Sequence, residues 1–268
     1  MLRLSALYRF PVKSLAGEAL QRVEVDALGL AGDRRWMVVD AASGRFLTQR
    51  QLPRMAQICA RWLDERTLQL SAPGQAALTV PVPLADQALR GVSVWSDSLQ
   101  VPDAGDAAAR WLNVLLDRDC RLVHVPAQRA RQVDTAYAQV GDKVGFADGF
   151  PLLLIGQASL DDLAARVGRP LEMLRFRPNL VVEGALPYAE DGWRRLRIGD
   201  IEFERVKPCS RCAIPTLDPH SGERAEDGEP LRTLATYRRD AEGVYFGQNL
   251  IQRGTGVLEV GMPVTLLD

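Results

Sequence analysis

Arg195-Leu196-Arg197-Ile198-Gly199-Asp200-Ile201-Glu202-Phe203-Glu204-Arg205-Val206 is the stretch that decides the fold class of this 268-residue chain. Apolar residues alternate on both sides of Gly199-Asp200, and two period-two runs joined by a two-residue turn dipeptide form a β-hairpin. The second strand leads directly into Lys207-Pro208-Cys209-Ser210-Arg211-Cys212. Half of the four cysteines stand there with an arginine between them, and Pro208 and Pro215 point to a rigid loop in place of a helix. Thiolates bind soft metals, and a neighbouring cation favours the thiolate form. The segment is suited to present a sulfur ligand or nucleophile from the end of a hairpin.

Working outward, the N-terminal hundred residues break into short strands punctuated by turns. Leu2–Phe10 alternates, Leu20–Ala27 alternates again, and Trp36–Val39 is a short apolar run closed by a turn at Asp40–Gly44. Leu68–Leu70, Leu78–Val82 and Val92–Trp95 follow the same style, which suggests a barrel or sandwich. The spacing of Ala107–Leu116 predicts a helix. Ser159-Leu160-Asp161-Asp162 reads as a capping signature that opens a second helix through about Val167, and a third is expected from Glu229 to about Tyr237. Leu152–Ile155, Leu180–Glu183, Val244–Ile251 and Val257–Leu267 read as further strands. The polar stretch Pro126–Lys143 marks a boundary or long surface loop. The expected class is therefore mainly β with some α (α+β), divided into residues 1–125 and 126–268.

Composition excludes several functions. Lys plus Arg is 33 against 34 for Asp plus Glu, so no bulk field attracts nucleic acid. Only Lys13, Lys143 and Lys207 are lysines, and the arginine excess favours planar contacts to phosphate and carboxylate, although coding bias produces the same excess. No apolar run reaches membrane-span length and the N-terminus lacks a signal-peptide core, so a reducing cytoplasm without membrane association is expected. Cys59 and Cys120 are isolated among apolar neighbours and are expected to be buried structural thiols. Gly-x-Gly-x-x-Gly, Gly-x-x-x-x-Gly-Lys and Gly-x-Ser-x-Gly are absent, and His124 and His220 form no paired motif.

Cys209 and Cys212 leave several readings open. A structural zinc site needs a second ligand pair, and a thioredoxin-type pair needs a helix N-terminus, which Pro215 and the turn-rich Asp218-Pro219-His220-Ser221-Gly222 disfavour. Inert thiols are a third reading. Lys13-Ser14, Asp33-Arg34-Arg35-Trp36 and Arg175-Phe176-Arg177-Pro178-Asn179 each set a cation beside a hydroxyl, amide or turn, as anion-binding loops do. Each taken alone is more often a solvated face or a local turn.

Taken in order, these segments resemble a family. Phe10-Pro11-Val12-Lys13-Ser14, Gly32-Asp33-Arg34-Arg35-Trp36, Phe176-Arg177-Pro178-Asn179, Tyr188-Ala189-Glu190-Asp191-Gly192-Trp193 and Lys207-Pro208-Cys209-Ser210-Arg211-Cys212 are similar to motifs of the MOSC proteins (molybdenum cofactor sulfurase C-terminal domain). The similarity is to members with an N-terminal β-barrel extension, among them the mitochondrial amidoxime-reducing component and bacterial YcbX-like proteins, and it covers essentially the whole chain. The resemblance implies an N-terminal β-barrel-like domain, a MOSC β-barrel domain with a few helices, and a site assembled between the two. It implies a molybdenum–molybdopterin cofactor, with Cys212 as the metal ligand and catalytic residue. Lys13, Ser14, Arg34, Arg177, Asn179, Ser210 and Arg211, with Cys212, would be the cofactor-binding residues. Asp148-Gly149-Phe150 would lie near the cofactor, where it departs from the Thr-Ser of mitochondrial members. The implied reaction is oxygen-atom removal from small N-hydroxylated substrates such as amidoximes and hydroxylamines. The last residues, Val264-Thr265-Leu266-Leu267-Asp268, bring no further cysteine, so no iron–sulfur site is expected in this chain. Electrons would come from a separate ferredoxin-, flavin- or heme-type donor protein. The alternatives are a non-catalytic cofactor carrier and a sulfur-transfer protein with a persulfide on Cys209 or Cys212.

Overall fold

Two apolar runs in the sequence lack alternation, and each is a strand buried on both faces. In the computed structural model, which describes residues 1–267, Trp36–Asp40 sends Trp36 and Val38 into one hydrophobic cluster and Met37 and Val39 into another. Leu152–Gly156 does the same, with Leu152 and Leu154 on one side and Leu153 and Ile155 on the other. Period-two geometry makes this division unavoidable once both faces are covered. Each such leucine contributes about 1.5–3 kcal/mol by leaving water.

Leu152–Gly156 lies inside an eight-stranded sheet. From one edge the order is Val264–Leu266, Arg195–Ile198, Ile201–Ser210, Tyr245–Arg253, Leu152–Gly156, Leu180–Glu183, Arg3–Arg9 and Glu18–Leu20. Its one parallel pair, Leu152–Gly156 with Leu180–Glu183, is joined by the crossover helix Gln157–Val167. Ile198 pairs with Ile201 across Gly199-Asp200, the expected hairpin. The N-terminal strands Arg3–Arg9 and Glu18–Leu20 extend this sheet, and Arg22–Asp26 pairs with Gly256–Glu259, so the first thirty residues are woven into the C-terminal half. Trp36–Asp40 sits in a smaller sheet between Cys120–His124 and Val12–Lys13, flanked by the meander Cys59–Asp64, Thr67–Ala72 and Gln75–Pro81. The class is α+β and mainly β, and among the described residues the strands form open sheets without a closed ring.

Three local expectations need correction. Ser159 does not cap its helix: the helix begins at Gln157 after Gly156, and the buried Ser159 hydroxyl donates to Glu190 at 2.7 Å. The helix expected from Glu229 shrinks to Leu231–Leu234, with the Glu229 carboxylate accepting from the Thr233 N–H. Cys59 is exposed, because alternation in Cys59–Asp64 turns Ile58 and Ala60 inward and Cys59 and Arg61 outward. Cys120 is buried as expected, and burial pushes its thiol up to about 12.

His124 ends the strand beside Trp36, with ring centroids 4.6 Å apart. Burial, reinforced by the nearby Arg35 charge, pulls its imidazole down to about 4 from an ordinary 6.5. The folded state thus disfavours the proton, so stability is full above about 6.5 and falls as pH drops towards 4. The loss from this group is roughly 3 kcal/mol. Urea denaturation of wild type and His124→Phe at pH 7 and pH 4.5 should show the variant losing about 2–3 kcal/mol less on acidification; equal losses would show that His124 does not titrate as buried.

Candidate functional site

Five loop segments converge on one cleft of about 380 Å³. Lys13 and Ser14 arrive at the end of the short strand Val12–Lys13, and Arg34 from the turn before Trp36. Residues 146–150 precede the buried strand Leu152–Gly156. Arg177 and Asn179 follow the 3-10 turn Met173–Phe176, and Ser210, Arg211 and Cys212 leave the end of the long strand Ile201–Ser210. All eight residues singled out from the sequence therefore line the same wall. The Cys-x-x-Cys segment is half strand, with Cys209 at an irregularity between the paired Pro208 and Ser210 and Cys212 in the loop beyond the strand. It does not open a helix.

The backbone is strained where it bounds this cleft. Ser14, Arg34, Arg177 and Trp95 have φ of 62°, 44°, 55° and 54°, a left-handed conformation that non-glycine residues rarely take. These four are a majority of the seven such residues found, and all line the cleft. Strain of this kind persists where surrounding contacts enforce it, and it gathers at binding sites.

Those contacts centre on Arg34. Its backbone N–H donates to Phe10 O and its carbonyl accepts from Phe146 N–H, both at 2.8 Å. Its guanidinium donates to Asp33 at 2.6 Å, Asn179 Oδ1 at 3.0 Å and Arg177 O at 2.9 Å. Asn179 is equally committed: Oδ1 also accepts from Leu153 N–H at 3.2 Å, and Nδ2 donates to Tyr8 O at 3.2 Å. Gly145 passes so close that an added Cβ would lie 2.8 Å from Arg34 O. Arg34 and Asn179 are thus chiefly ties between chain segments.

Other groups retain free capacity. Arg177 donates to Leu15 O at 2.8 Å and stacks on Phe10, yet its buried Nη2 has no partner among the described residues. Burial and then repulsion by Arg34 pull its guanidinium down to about 9. Arg211 donates to Phe176 O at 2.6 Å and to Cys209 Sγ at 3.0 Å, while its buried Nε is unpartnered. Unsatisfied buried guanidinium donors call for an anion. The Ser14 and Ser210 hydroxyls have no side-chain partner among the described residues. Cys212 is an exposed thiol on the same wall.

Two features escaped the sequence reading. Lys13 is buried, and its Nζ donates to Phe146 O at 2.9 Å and to Asp148 Oδ1 at 2.5 Å. Although desolvation opposes it, the Lys13 charge and hydrogen bond hold the Asp148 carboxyl well below its ordinary range. Arg131, in the stretch read as a polar boundary, is buried and donates to the carbonyls of Gly145 and Ala147 and to Asp97. It fastens the Asp148 loop to the hairpin turn that carries Trp95. The sequence marks Lys13 as a cation beside Ser14 but not its burial or its Asp148 partner, and no local pattern marks Arg131, since the partners of both are distant in sequence.

The arrangement can hold a phosphorylated ligand and offer it sulfur. Among the described residues no three His, Cys, Asp or Glu side chains cluster, so a metal here must bring most of its own ligands. Molybdopterin, with a phosphate and a metal-binding ene-dithiolate, matches that donor set: unpaired guanidinium N–H groups for the phosphate and the exposed Cys212 sulfur for the metal, with the half-buried Cys209 on the same cleft.

Replacing Asn179 by Ala should cost about 2–3 kcal/mol, because the Leu153 N–H and Tyr8 C=O lose their partner in the interior. Ser14→Ala should stay within about 0.5 kcal/mol. Chemical denaturation compares the two, and equal costs would remove the distinction between ties and ligand-facing groups.

Comparison with known proteins finds similarity along nearly the whole chain. Residues 1–119 match the MOSC N-terminal beta barrel domain and residues 141–265 match the MOSC domain. Mitochondrial amidoxime-reducing component 1 of Mus musculus is 36% identical over 98% of this chain and 82% of its own length. The Homo sapiens protein of that name is 34% identical with the same coverage. Molybdenum cofactor sulfurase of Oryza sativa subsp. japonica is 31% identical over 92% of this chain, which corresponds to 32% of that longer protein.

Proposed function

The chain belongs to the MOSC-domain family, in the branch that carries the N-terminal beta barrel domain, and on that premise we propose that it is a molybdenum-cofactor-dependent oxidoreductase that removes the oxygen atom from N-hydroxylated compounds such as amidoximes and hydroxylamines. The observation that carries the reading is the pair of unpartnered buried guanidinium donors on Arg177 and Arg211, set on the same wall as an exposed Cys212 thiol.

In this reading Arg177 and Arg211 hold the phosphate, with Ser14 and Ser210 as hydroxyl donors and Lys13 contributing its remaining N–H. Arg34 and Asn179 keep those groups in position. Cys212 supplies the protein's sulfur to the metal. When bound, the cofactor supplies the two-electron redox chemistry, and the chain supplies orientation and electrostatics. A separate electron-donor protein completes the cycle. The free state of the four cysteines supports a reducing compartment, the cytoplasm.

One contact favours a second reading. Arg211 Nη1 donates to Cys209 Sγ at 3.0 Å, which sets a cation directly against that sulfur. A sulfur-transfer protein would use that pairing to stabilise a Cys209 thiolate or persulfide.

Protein produced in a cofactor-competent host decides between them. Mass-spectrometric molybdenum with oxidised-pterin fluorescence should give near-equimolar metal and pterin in wild type. Cys212→Ala should lose the metal, and Cys209→Ala should keep it. The loaded wild type should reduce benzamidoxime to benzamidine with a chemical electron donor. Absence of both metal and pterin from wild type, with a persulfide adduct on Cys209 in the intact mass, would overturn the first reading in favour of the second.

A further inference from the structure

The interior of the cleft is cationic, but its rim carries one carboxylate. Asp148 remains 72% exposed at the side chain while Lys13 beneath it is 7% exposed. Both contacts to Asp148 fall on the same oxygen: Lys13 Nζ at 2.5 Å and Trp95 Nε1 at 3.1 Å each donate to Oδ1. Oδ2 is left without a partner among the described residues, on an exposed side chain that lines the cleft.

Trp95 is the second element of the rim. It stands at the tip of the hairpin Leu89–Val94/Asp97–Pro102, half exposed, with φ of 54°. A bulky aromatic residue in left-handed geometry is a genuine outlier, and an exposed tryptophan there gains little from burial. It is nevertheless tightly held. Phe46 packs edge-on with ring centroids 5.0 Å apart, Arg50 lies 5.3 Å from the ring centre, and Arg131 grips both Asp97 in the same turn and the backbone carrying Asp148. A strained, preorganised aromatic surface beside an open carboxylate oxygen is a ligand-recognition geometry.

We propose that Trp95 and Asp148 select the substrate: a planar, uncharged, N–H-bearing N-hydroxylated compound stacks on the Trp95 ring and donates its amino N–H to Asp148 Oδ2. This rests on the reading of the cleft as an N-hydroxyl reductase site. The charge pattern sets the details. Arg50 beside Trp95 repels a cation, whereas Asp148 repels a carboxylate, so a neutral donor is favoured over either. An amidoxime carries the required amino group beside its N-hydroxyl. An aldoxime has the same C=N–OH unit with hydrogen in place of the amino group, and it leaves Oδ2 unpaired. The aldoxime forgoes one charge-assisted hydrogen bond to Asp148, and because that carboxylate is exposed and stays solvated the discrimination is on the order of tenfold.

The test measures binding to the oxidised, cofactor-loaded protein without an electron donor, so it does not depend on turnover. Calorimetric titration of wild type should show benzamidoxime binding roughly tenfold tighter than benzaldoxime. Asp148→Ala, at an exposed side chain, should abolish that preference by weakening benzamidoxime alone. Trp95→Ala should weaken both ligands several-fold and keep the preference. Molybdenum content is measured in each variant so that affinities refer to loaded sites. Equal affinity of wild type for the two ligands, or an unchanged preference in Asp148→Ala, would overturn the proposal. Failure of the loaded wild type to turn over benzamidoxime, with the preference intact, would instead overturn the reductase reading and leave the recognition rim standing.

Discussion

The guanidinium of Arg34 is the interaction on which the rest of this molecule depends. It meets Asp33 from its own turn, Asn179 from the far half of the chain and the carbonyl of Arg177, while its backbone bridges Phe10 and Phe146. A residue with side chain and main chain committed to four separate segments has no freedom to relax its φ of 44°. The strained turn is the means by which loops from different sheets share one wall. Hydrogen bonds to a charged group in a partly buried position contribute more than neutral ones, and here they are coupled, so the segments order together.

This arrangement separates positioning from binding by the donors each residue has left. Arg34 and Asn179 are nearly exhausted by internal partners. Arg177 and Arg211 keep buried N–H groups unmatched, and Cys212 keeps its sulfur exposed. A cleft lined with cations looks uniform when judged by charge alone. Counting which donors are already engaged divides it into a frame and a receptor.

Much of the frame was legible in the amino-acid sequence because it is encoded locally. Gly199-Asp200 between alternating runs announces its hairpin, and the unbroken apolar runs at Trp36–Val39 and Leu152–Ile155 announce strands covered on both sides. Local signals failed where a distant residue outbid them. Ser159 has the spacing of a cap, but Glu190 recruits its hydroxyl into the interior. Cys59 has apolar neighbours, but alternation turns it outward. The cationic residues of the cleft were legible as clusters beside turns, together with their order along the chain. Asp148 was placed near the cleft only by the family resemblance, and Arg131 and Trp95 were not legible at all, since their meaning arises only when the stretch near 131, the loop near 148 and the hairpin near 95 meet in space.

The unmatched donors of Arg177 and Arg211 also bear on the life of the chain before it works. Like charges crowded in a low-dielectric wall oppose folding, and an anion that neutralises them binds the native state and not the unfolded one. By mass action the loaded form is then the more stable species, and the vacant form opens more often. Proteases act on opened chains, so by the same linkage any ligand held there would shield the chain from them.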